Sequence, residues 1–593
     1  MNVPYGDRKV LLLSDGFGGA TMAAYCHLRD RRVQTAFHPA STSEDMIAAV
    51  GQHAPDIVIA PTLTKRVPAE LYHRVLINHP GRLGDRGPSS IDWGRVRRDP
   101  LGGNTVLLAE EGWDTGPVVH TTSFPYPSWP ATKSWLYSHL NRAAFLAGID
   151  HVLAGLGAPM PLDESQPDVL GRWNDPMRQR DCEIHWTMSA EDIVWNAAAR
   201  DGSPGVLTEL AGHQVYVYDV HLGGPVNGNA DPGDVVEWQP NGAIRVAVGM
   251  RTGDGYRESV WVGYVKPKPP AQHGPTFKLP AAVWIGQQGR YLPLRWTGQG
   301  PRPGYRPIRM SFPDTTLAIV TAAAYNGAWS TEFCQRVTRA LAHVERLPDI
   351  RRVVLRGGGA DPFGNGIHLN HIYASDPGCG FPMQAEARRN ISAINEVAEV
   401  LFRLRRAGRQ VIVVADGDAG AGGAFLSLCG SVVVAEEGRV LNYHYKSMGG
   451  LTGSEYHTLT LPGRMPDPAD RHALLNECLP LSAYQAHRQG LVDYLAPAGL
   501  TGPALTEWIV EFSRNYGAQV DRRVIKVSDA PSAEAEAATS RAELSTIFRD
   551  FAGSDFQQAL ARFVLKQPTA PPVAARRYRG GYQESNFPPP QGE

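Results

Sequence analysis

The chain has 593 residues, of which 20% are charged, and its formal net charge is −1. This balance does not indicate a surface for nucleic acid or for an acidic membrane, and no apolar run is long enough to span a bilayer. The length predicts three or four domains. The first residues lead into a strand rather than into a signal peptide.

The six cysteines, at positions 26, 182, 334, 379, 429 and 478, are scattered without a CxxC pair or a regular spacing. We interpret them as small buried side chains in a reducing compartment. The sequence therefore predicts a cytoplasmic protein with neither a disulfide framework nor a metal.

The N-terminal region alternates short apolar runs with helical stretches. Strands are predicted at residues 10–13, 33–37 and 56–60, with helices up to about Arg32 and from residue 43 to 53. This alternation is typical of an α/β domain with a doubly wound, Rossmann-like sheet, which we place at residues 1–162. The glycine turn that precedes the first helix lacks the GxGxxG fingerprint, so a dinucleotide site is rejected.

Two polar motifs follow in this domain. The apolar run 75–77 leads into residues 78–90, which are rich in Gly and Pro and place His79 on a loop at a strand's carboxyl end. A second turn, residues 110–117, carries Asp114. An imidazole with a carboxylate beside it is a proton carrier suited to neutral pH. Taken alone, such a pair is more often a surface His and a turn Asp.

Together these motifs resemble the signatures of the 10-formyltetrahydrofolate-dependent formyltransferases. The resemblance implies a folate formyl donor and proton transfer by His79 with Asp114, with Asn78 and Arg86 as substrate-binding residues. The family's catalytic Asn falls on Ile77, so the group that polarises the formyl oxygen is not assigned.

A proline-punctuated stretch, residues 163–182, is predicted to be a linker. The next domain, residues 183–265, resembles the small β-barrel that follows the catalytic domain in methionyl-tRNA-type formyltransferases. Its Ser-Pro-Gly turn would expose backbone amides and a hydroxyl, which makes Gly202 and Ser203 candidate ligand contacts.

Composition divides the rest of the chain. Residues 266–309 are rich in Pro and Gly and are predicted to be a second linker, and residues 310–520 show strands and helices of a third α/β domain. Residues 521–566 are predicted to be helical, and the Pro-rich tail, residues 567–593, to be extended.

Two glycine-rich turns of the third domain, residues 361–369 and 416–425, each follow a buried strand. Backbone amides in such turns can converge on a carbonyl oxygen as an oxyanion hole, although tight packing alone explains either turn equally well. Together the turns resemble the crotonase (enoyl-CoA hydratase/isomerase) superfamily. The resemblance implies a coenzyme A thioester, with oxyanion amides at Asn365 and Gly422 and binding contacts at Gly366 and Gly423.

The two glutamates of the crotonase hydratases fall on Phe425 and Tyr445, which makes hydration of a double bond unlikely chemistry for this chain. A Tyr and a Glu ten positions apart, Tyr445 and Glu455, flank a glycine turn and are the predicted catalytic pair. Either of them can be the base. The alternative is a core Tyr bonded to a buried Glu.

The combination of these three parts resembles the HypX/HoxX family of hydrogenase maturation factors over nearly the whole chain. The resemblance implies transfer of the formyl group of 10-formyltetrahydrofolate to CoA, and then decarbonylation of formyl-CoA to CO for a [NiFe] hydrogenase. It also implies transient contact with the hydrogenase maturation machinery. Two alternatives stay open: a formyltransferase acting on a small amine, and a folate- and CoA-binding scaffold without turnover.

Overall fold

The computed structural model describes residues 8–156, 158–227, 229–250, 253, 255–269, 276–289, 305–359, 362–375, 382–515 and 530–578. Parts of the predicted linker 266–309, of the predicted domain 310–520, of the segment 521–566 and of the tail 567–593 lie outside these residues. The chain divides into two compact units, of which the first ends at Tyr305 and the second begins at Arg306. The described residues 575–578 also belong to the first unit.

The first unit opens with a six-stranded sheet of order β2-β1-β3-β4-β5-β6. Strands β1 to β4 are parallel and the last two are antiparallel, which confirms the predicted α/β sheet. The strands are β1 (Lys9–Ser14), β2 (Gln34–Pro39), β3 (Ile57–Ala60), β4 (Val75–His79), β5 (Leu101–Leu108) and β6 (Val118–Pro125). The helices are α1 (Gly19–Asp30), α2 (Ser43–His53), α3 (Ser90–Val96), α4 (Lys133–Leu136) and α5 (Arg142–Leu153).

A second sheet of the first unit has seven strands and is antiparallel, with β9 and β13 paired to β12 beside the order β10-β11-β12-β8-β7. No ladder that joins β10 to β7 into a closed barrel is found among the described residues. The elements are α6 (Ala190–Ala199), β7 (Val206–Leu210), β8 (His213–Leu222), β9 (Val226–Asn227), β10 (Val235–Trp238), β11 (Ile244–Val248), β12 (Tyr256–Pro267), β13 (Leu279–Pro280) and α7 (Ala281–Gln287).

Two stretches predicted to be linkers contain described residues that contact the rest of the first unit. Strand β13 and helix α7 fall within residues 266–309 and pack on β12, because the apolar run at residues 281–285 is buried there. Residues 163–182 carry little regular structure but bind the loop after β4 through backbone hydrogen bonds, such as that from the Asn174 amide to the Arg86 carbonyl (2.8 Å).

The second unit is built on a six-stranded sheet, β14-β15-β16-β17-β19-β22, which is parallel apart from β14, and on a small sheet, β18-β20-β21. The strands are β14 (Ile308–Asp314), β15 (Leu317–Ala322), β16 (Arg352–Arg356), β17 (Gln410–Ala415), β18 (Ala419–Gly420), β19 (Val432–Glu436), β20 (Val440–Asn442), β21 (Leu481–Ser482) and β22 (Tyr494–Ala496). This mostly parallel sheet confirms the α/β class predicted for the third domain.

The helices of the second unit surround these sheets. They are α8 (Thr331–Glu345), α9 (Leu369–Tyr373), α10 (Pro382–Arg406), α11 (Gly422–Ser427), α12 (His457–Arg464), α13 (Pro468–Glu477), α14 (Ala483–Arg488), α15 (Gly502–Asn515), α16 (Ala533–Ala552) and α17 (Ser554–Val564). The last two confirm the helical prediction for the described part of residues 521–566. No helix of the described residues is both long and apolar enough to cross a membrane.

Candidate functional sites

The first candidate site lies at the carboxyl end of β4. The strand continues through Asn78 to His79, so the prediction that His79 lies on a loop is wrong by two residues. The His79 side chain is buried, and its Nδ1 lies 3.2 Å from Oδ2 of Asp114. Asp114 sits in the turn between β5 and β6 with φ of +54°, a backbone conformation that aims its carboxylate back at β4. The structure thus brings together the predicted His and Asp.

Asp114 is held as a carboxylate. Burial by itself raises its pKa, but the hydrogen bond and charge of His79, the Gly87 amide and the charge of Arg86 together lower the pKa below its usual value. The Gly87 N–H donates to Asp114 Oδ2 at 2.9 Å. An ionised carboxylate on Nδ1 requires that this nitrogen carry a proton, so the Asp114 contact sets the tautomer of His79.

The pair faces a cavity of about 880 Å³ in the first unit. This volume suits a ligand of drug or cofactor size. Its lining joins apolar and polar side chains from the ends of several strands and from the turn of π-helix before α5, with His79, Asp114, Asn78, Ile77, Trp113, Trp173, Arg66, Tyr137 and Asn141 among them.

The other predicted binding residues of the first unit differ in whether they line the cavity. Asn78 lines the cavity. Its Nδ2 donates to the Pro61 carbonyl oxygen at 2.9 Å, and its Oδ1 accepts from Asn104 Nδ2 at 2.7 Å. Arg86 instead forms an ion pair with Glu164. Among the described lining residues, Arg86, Gly202 and Ser203 are absent, so the structure does not bring these three to the cavity.

The second candidate site lies in the second unit, where the two predicted glycine turns meet. A side chain at Gly423 would place its Cβ 2.0 Å from the Gly364 carbonyl oxygen, so only glycine allows this approach. Gly366, with φ of +81°, similarly lies against Gly422. Gly422 is the first residue of α11, where helix amides have no partner within the helix.

The oxyanion assignment at the first of these turns needs a correction. The Asn365 amide donates to the Gly327 carbonyl at 2.6 Å, so it is not directed at a ligand and the prediction for this amide is wrong. The backbone of the neighbouring Gly366 is the better candidate, because a Cβ there would lie 3.1 Å from the Gly422 nitrogen. A motif places a loop correctly but does not say which of two successive amides the fold uses.

Tyr445 and Glu455 come together as predicted. The Tyr445 hydroxyl donates to Glu455 Oε2 at 2.5 Å, and both side chains are buried. The other carboxyl oxygen, Oε1, has no hydrogen-bond partner among the described residues and points at Gly422, where a Cβ would lie 2.3 Å from it. The pair therefore presents one unpaired oxygen to the candidate oxyanion hole.

Burial raises the pKa of Glu455 to about 8; the Tyr445 hydrogen bond opposes this rise, and the charge of Glu543 adds to it. Burial also raises the pKa of Tyr445 well above its ordinary value, as does the charge of Glu455. The phenol consequently stays protonated and acts as donor, while the carboxyl group can change its charge near neutral pH.

Neighbouring residues fix the positions of Tyr445 and Glu455. Phe425, at the position of a hydratase glutamate, stacks on Tyr445 with the ring centroids 4.8 Å apart. Glu455 and Tyr456 both have a left-handed backbone, with φ of +56° and +59°. Asn395 Oδ1 accepts from the Glu455 amide at 3.1 Å, which helps to hold this strained turn.

Helix α16 anchors the same turn from its other side, a contact that the sequence did not predict. The Glu543 carboxylate accepts from the amides of Tyr456 (2.9 Å) and Thr458 (2.8 Å), and Asp550 accepts from the Thr452 amide (2.8 Å). The helical pattern indicated that α16 exists, but no local signal names the loop that its carboxylates bind.

Replacing Glu543 by Gln is expected to lower the pH at which the activity of this site changes with the charge of Glu455. The substitution removes a buried negative charge that raises the pKa of Glu455, so ionisation of Glu455 becomes easier. The pH dependence of turnover at this site measures this midpoint. Asp550→Asn, which weakens the same turn, is the control; an equal shift in both variants, or none, contradicts the prediction.

Replacing Gly422 by Ala is expected to reduce turnover at this site by about 100-fold, because the new methyl group displaces the Glu455 carboxylate from its position. Gly463→Ala is the matched control, since a Cβ at Gly463 meets no atom within 4 Å. Single-turnover assays of both variants measure the effect. Equal rates in the two variants would show that Glu455 need not lie against Gly422.

Comparisons with known proteins agree with this two-part structure. Residues 176–267 match the family "Formyl transferase, C-terminal domain". The chain is 35% identical over 511 residues to the hydrogenase maturation factor HoxX of Bradyrhizobium diazoefficiens, covering 84% of this chain and 83% of that protein. It is 28% identical over 163 residues to the methionyl-tRNA formyltransferase of Pseudoalteromonas translucida, covering 27% of this chain and 49% of that protein.

A solved structure is similar over nearly the full length. The crystal structure of HypX from Aquifex aeolicus in complex with tetrahydrofolic acid covers 96% of this chain and 99% of its own, with a TM-score of 0.85 and 26% sequence identity. The fold and the sites define a two-part protein, in which a unit with a formyl transferase C-terminal domain is joined to an α/β unit that carries the Tyr445–Glu455 site. The chain belongs to the HypX/HoxX family of hydrogenase maturation factors, as the sequence motifs predicted. Among the described residues, no group of three or more His, Cys, Asp or Glu side chains is placed to hold a metal.

Proposed function

We propose that this protein transfers the formyl group of 10-formyltetrahydrofolate to the thiol of CoA and then decarbonylates formyl-CoA to CO and CoA. Membership of the HypX/HoxX family supports the setting, and the relative that binds tetrahydrofolic acid supports the folate. The observation that carries the second step is Glu455, a buried carboxyl group with one oxygen unpaired and aimed at Gly422.

In the first step the CoA sulfur attacks the formyl carbon, and the bond from that carbon to N10 of the folate breaks. The thiol proton passes through the His79–Asp114 pair and ends on N10. Asp114 stabilises the imidazolium that forms in transit, since the carboxylate lies 3.2 Å from Nδ1. The cavity beside this pair has the volume to receive both reacting groups.

In the second step the amides of Gly366 and Gly422 hold the formyl oxygen, and Glu455 takes the proton from the formyl carbon. The electron pair left on carbon expels the CoA thiolate and forms CO, and the thiolate sulfur then takes the proton from Glu455, which restores the carboxylate. Tyr445 stays protonated and orients the carboxyl group through its 2.5 Å hydrogen bond. Delivery of CO to a [NiFe] hydrogenase centre, contact with its maturation machinery and a cytoplasmic location belong to the same proposal.

The acceptor of the formyl group is tested with 10-formyltetrahydrofolate that carries ¹³C in its formyl group. Incubation with CoA is expected to give tetrahydrofolate and labelled formyl-CoA or its products, detected by mass. A parallel incubation with small amines in place of CoA should give no labelled formamide. Formylation of an amine without turnover of CoA would show that the acceptor is an amine and not CoA. Binding of the folate and CoA without any turnover would favour a folate- and CoA-binding scaffold.

A further inference from the structure

A second group touches the His79 ring, on the side away from Asp114. Ser90, the first residue of α3, is buried, and its Oγ lies 3.3 Å from His79 Nε2. His79 is thus held at both nitrogens: by a carboxylate at Nδ1 and by a hydroxyl at Nε2. Among the described residues Ser90 does not line the cavity, so it acts on the ring and not on a ligand.

Ser90 is in turn oriented by Asn174, from the stretch that was predicted to be a linker. Asn174 Nδ2 donates to Ser90 Oγ at 3.2 Å across 84 positions of sequence. The amide cannot be reversed, because both terminal nitrogens of Arg97 donate to Asn174 Oδ1 at 3.3 Å and a guanidinium has only donors. Asn174 is also buried.

The stretch is built closely onto the loop after β4. A Cβ at Gly87 would lie 2.4 Å from the Asn174 carbonyl oxygen, and one at Gly171 would lie 1.9 Å from the Asp85 nitrogen. Asp85 Oδ1 accepts from the Arg172 amide at 3.1 Å and from Asn174 Nδ2 at 3.3 Å. These contacts fix the position from which Asn174 reaches Ser90.

The hydroxyl suits both charge states of the ring. One lone pair of Ser90 Oγ accepts from Asn174. In the neutral ring the Ser90 hydroxyl donates to the bare Nε2, and in the charged ring a second lone pair accepts from Nε2–H. The Nε2 atom of His79 therefore keeps a hydrogen-bond partner in both charge states of the ring.

We infer that Ser90 and Asn174 are positioning residues for His79 in formyl transfer, with Asn174 acting through Ser90. This inference rests on the proposed function of the first unit. It assigns to residues 163–182 a part in the site, in place of the linker role that the composition indicated.

The test compares Ser90→Ala with Ser89→Ala in formyl transfer from 10-formyltetrahydrofolate to CoA. Ser89 is a matched control, because its Oγ accepts from the Met177 amide at 3.1 Å and so holds the same stretch without touching His79. Ser90→Ala is expected to lower kcat by about 10- to 100-fold with the folate KM within about twofold, and to displace the pH–rate profile. Ser89→Ala should leave kcat and the pH–rate profile unchanged.

A double-variant comparison tests the route from Asn174. If Asn174 acts through Ser90, then Ser90→Ala adds little to the loss of kcat in Asn174→Ala. Equal behaviour of Ser90→Ala and Ser89→Ala, an unchanged pH profile, or fully additive losses would overturn the inference.

A readout without turnover separates this inference from the proposed reaction. In protein labelled with ¹⁵N-histidine, the His79 resonances are assigned by their loss in His79→Gln. Ser90→Ala is expected to shift the Nε2 resonance, and Ser89→Ala to leave it in place. If wild-type protein forms no formyl-CoA but the shift occurs, the CoA reaction fails while the Ser90 contact stands; no shift refutes the contact.

Discussion

Replacing Glu455 by Gln is expected to lower CO formation by about 100- to 10,000-fold, the range for loss of a general base, and to cause formyl-CoA to accumulate. Gln retains the shape of the side chain and an oxygen to accept the Tyr445 hydroxyl, but it cannot take a proton from the formyl carbon. The first site lies in the other unit of the chain and should continue to load CoA. Mass analysis of CoA species after quenching measures the intermediate.

Glu399→Gln is the matched control for this experiment. Glu399 is a neighbouring carboxylate that accepts from the Tyr456 hydroxyl at 2.8 Å, and the proposal gives it no part in the chemistry. CO formation in this variant should stay within about threefold of wild type. A Glu455→Gln protein that makes CO at the wild-type rate would remove Glu455 from the mechanism and make Tyr445 the group to examine.

Replacing Asp114 by Asn is expected to slow formyl transfer to CoA by about 100-fold or more. The amide still fills the space and can accept from Gly87, but it no longer stabilises the charge on His79. Formyl-CoA supplied from outside should still be converted to CO at the wild-type rate, because Glu455 is untouched. Tetrahydrofolate release measures the first step, and CO from supplied formyl-CoA measures the second.

The control for this variant is Glu111→Gln, since Glu111 also lines the cavity but is exposed. It should keep formyl transfer within about threefold. Loss of CO formation from supplied formyl-CoA in Asp114→Asn would mean that the two steps do not belong to separate sites. Undiminished formyl transfer would mean that His79 does not need the carboxylate.

The sequence predicted the parts of both sites that depend on short motifs. His79 with Asp114, and Tyr445 with Glu455, meet as their motifs indicated, because each motif places its residue at a strand end or in a tight turn. The sheets were predictable for a similar reason, since buried parallel strands such as β17 are continuous apolar runs. Family resemblance then joined motifs that periodicity alone leaves apart.

Contacts between distant segments were not predictable. Asn174 lies in a polar, proline-rich stretch whose composition is that of a linker. Its contact with Ser90, 84 positions away, depends on backbone pairing with the loop after β4. Glu543 was placed on a helix, but a helical pattern gives the buried face and not the partner. The candidate oxyanion amide moved from Asn365 to Gly366 because the Asn365 amide donates to the Gly327 carbonyl. No motif encodes that hydrogen bond.

We propose that one chain makes CO from the formyl group of a folate by way of CoA. The most direct test of this proposal is anaerobic incubation of the purified protein with ¹³C-formyl-labelled 10-formyltetrahydrofolate and CoA, with CO trapped by haemoglobin and its label read by mass. We expect ¹³CO and tetrahydrofolate to form in equal amounts, only when CoA is present, and CoA to be regenerated. Labelled formyl-CoA that accumulates in the wild type without any ¹³CO would contradict the proposal and confine the activity to the first unit.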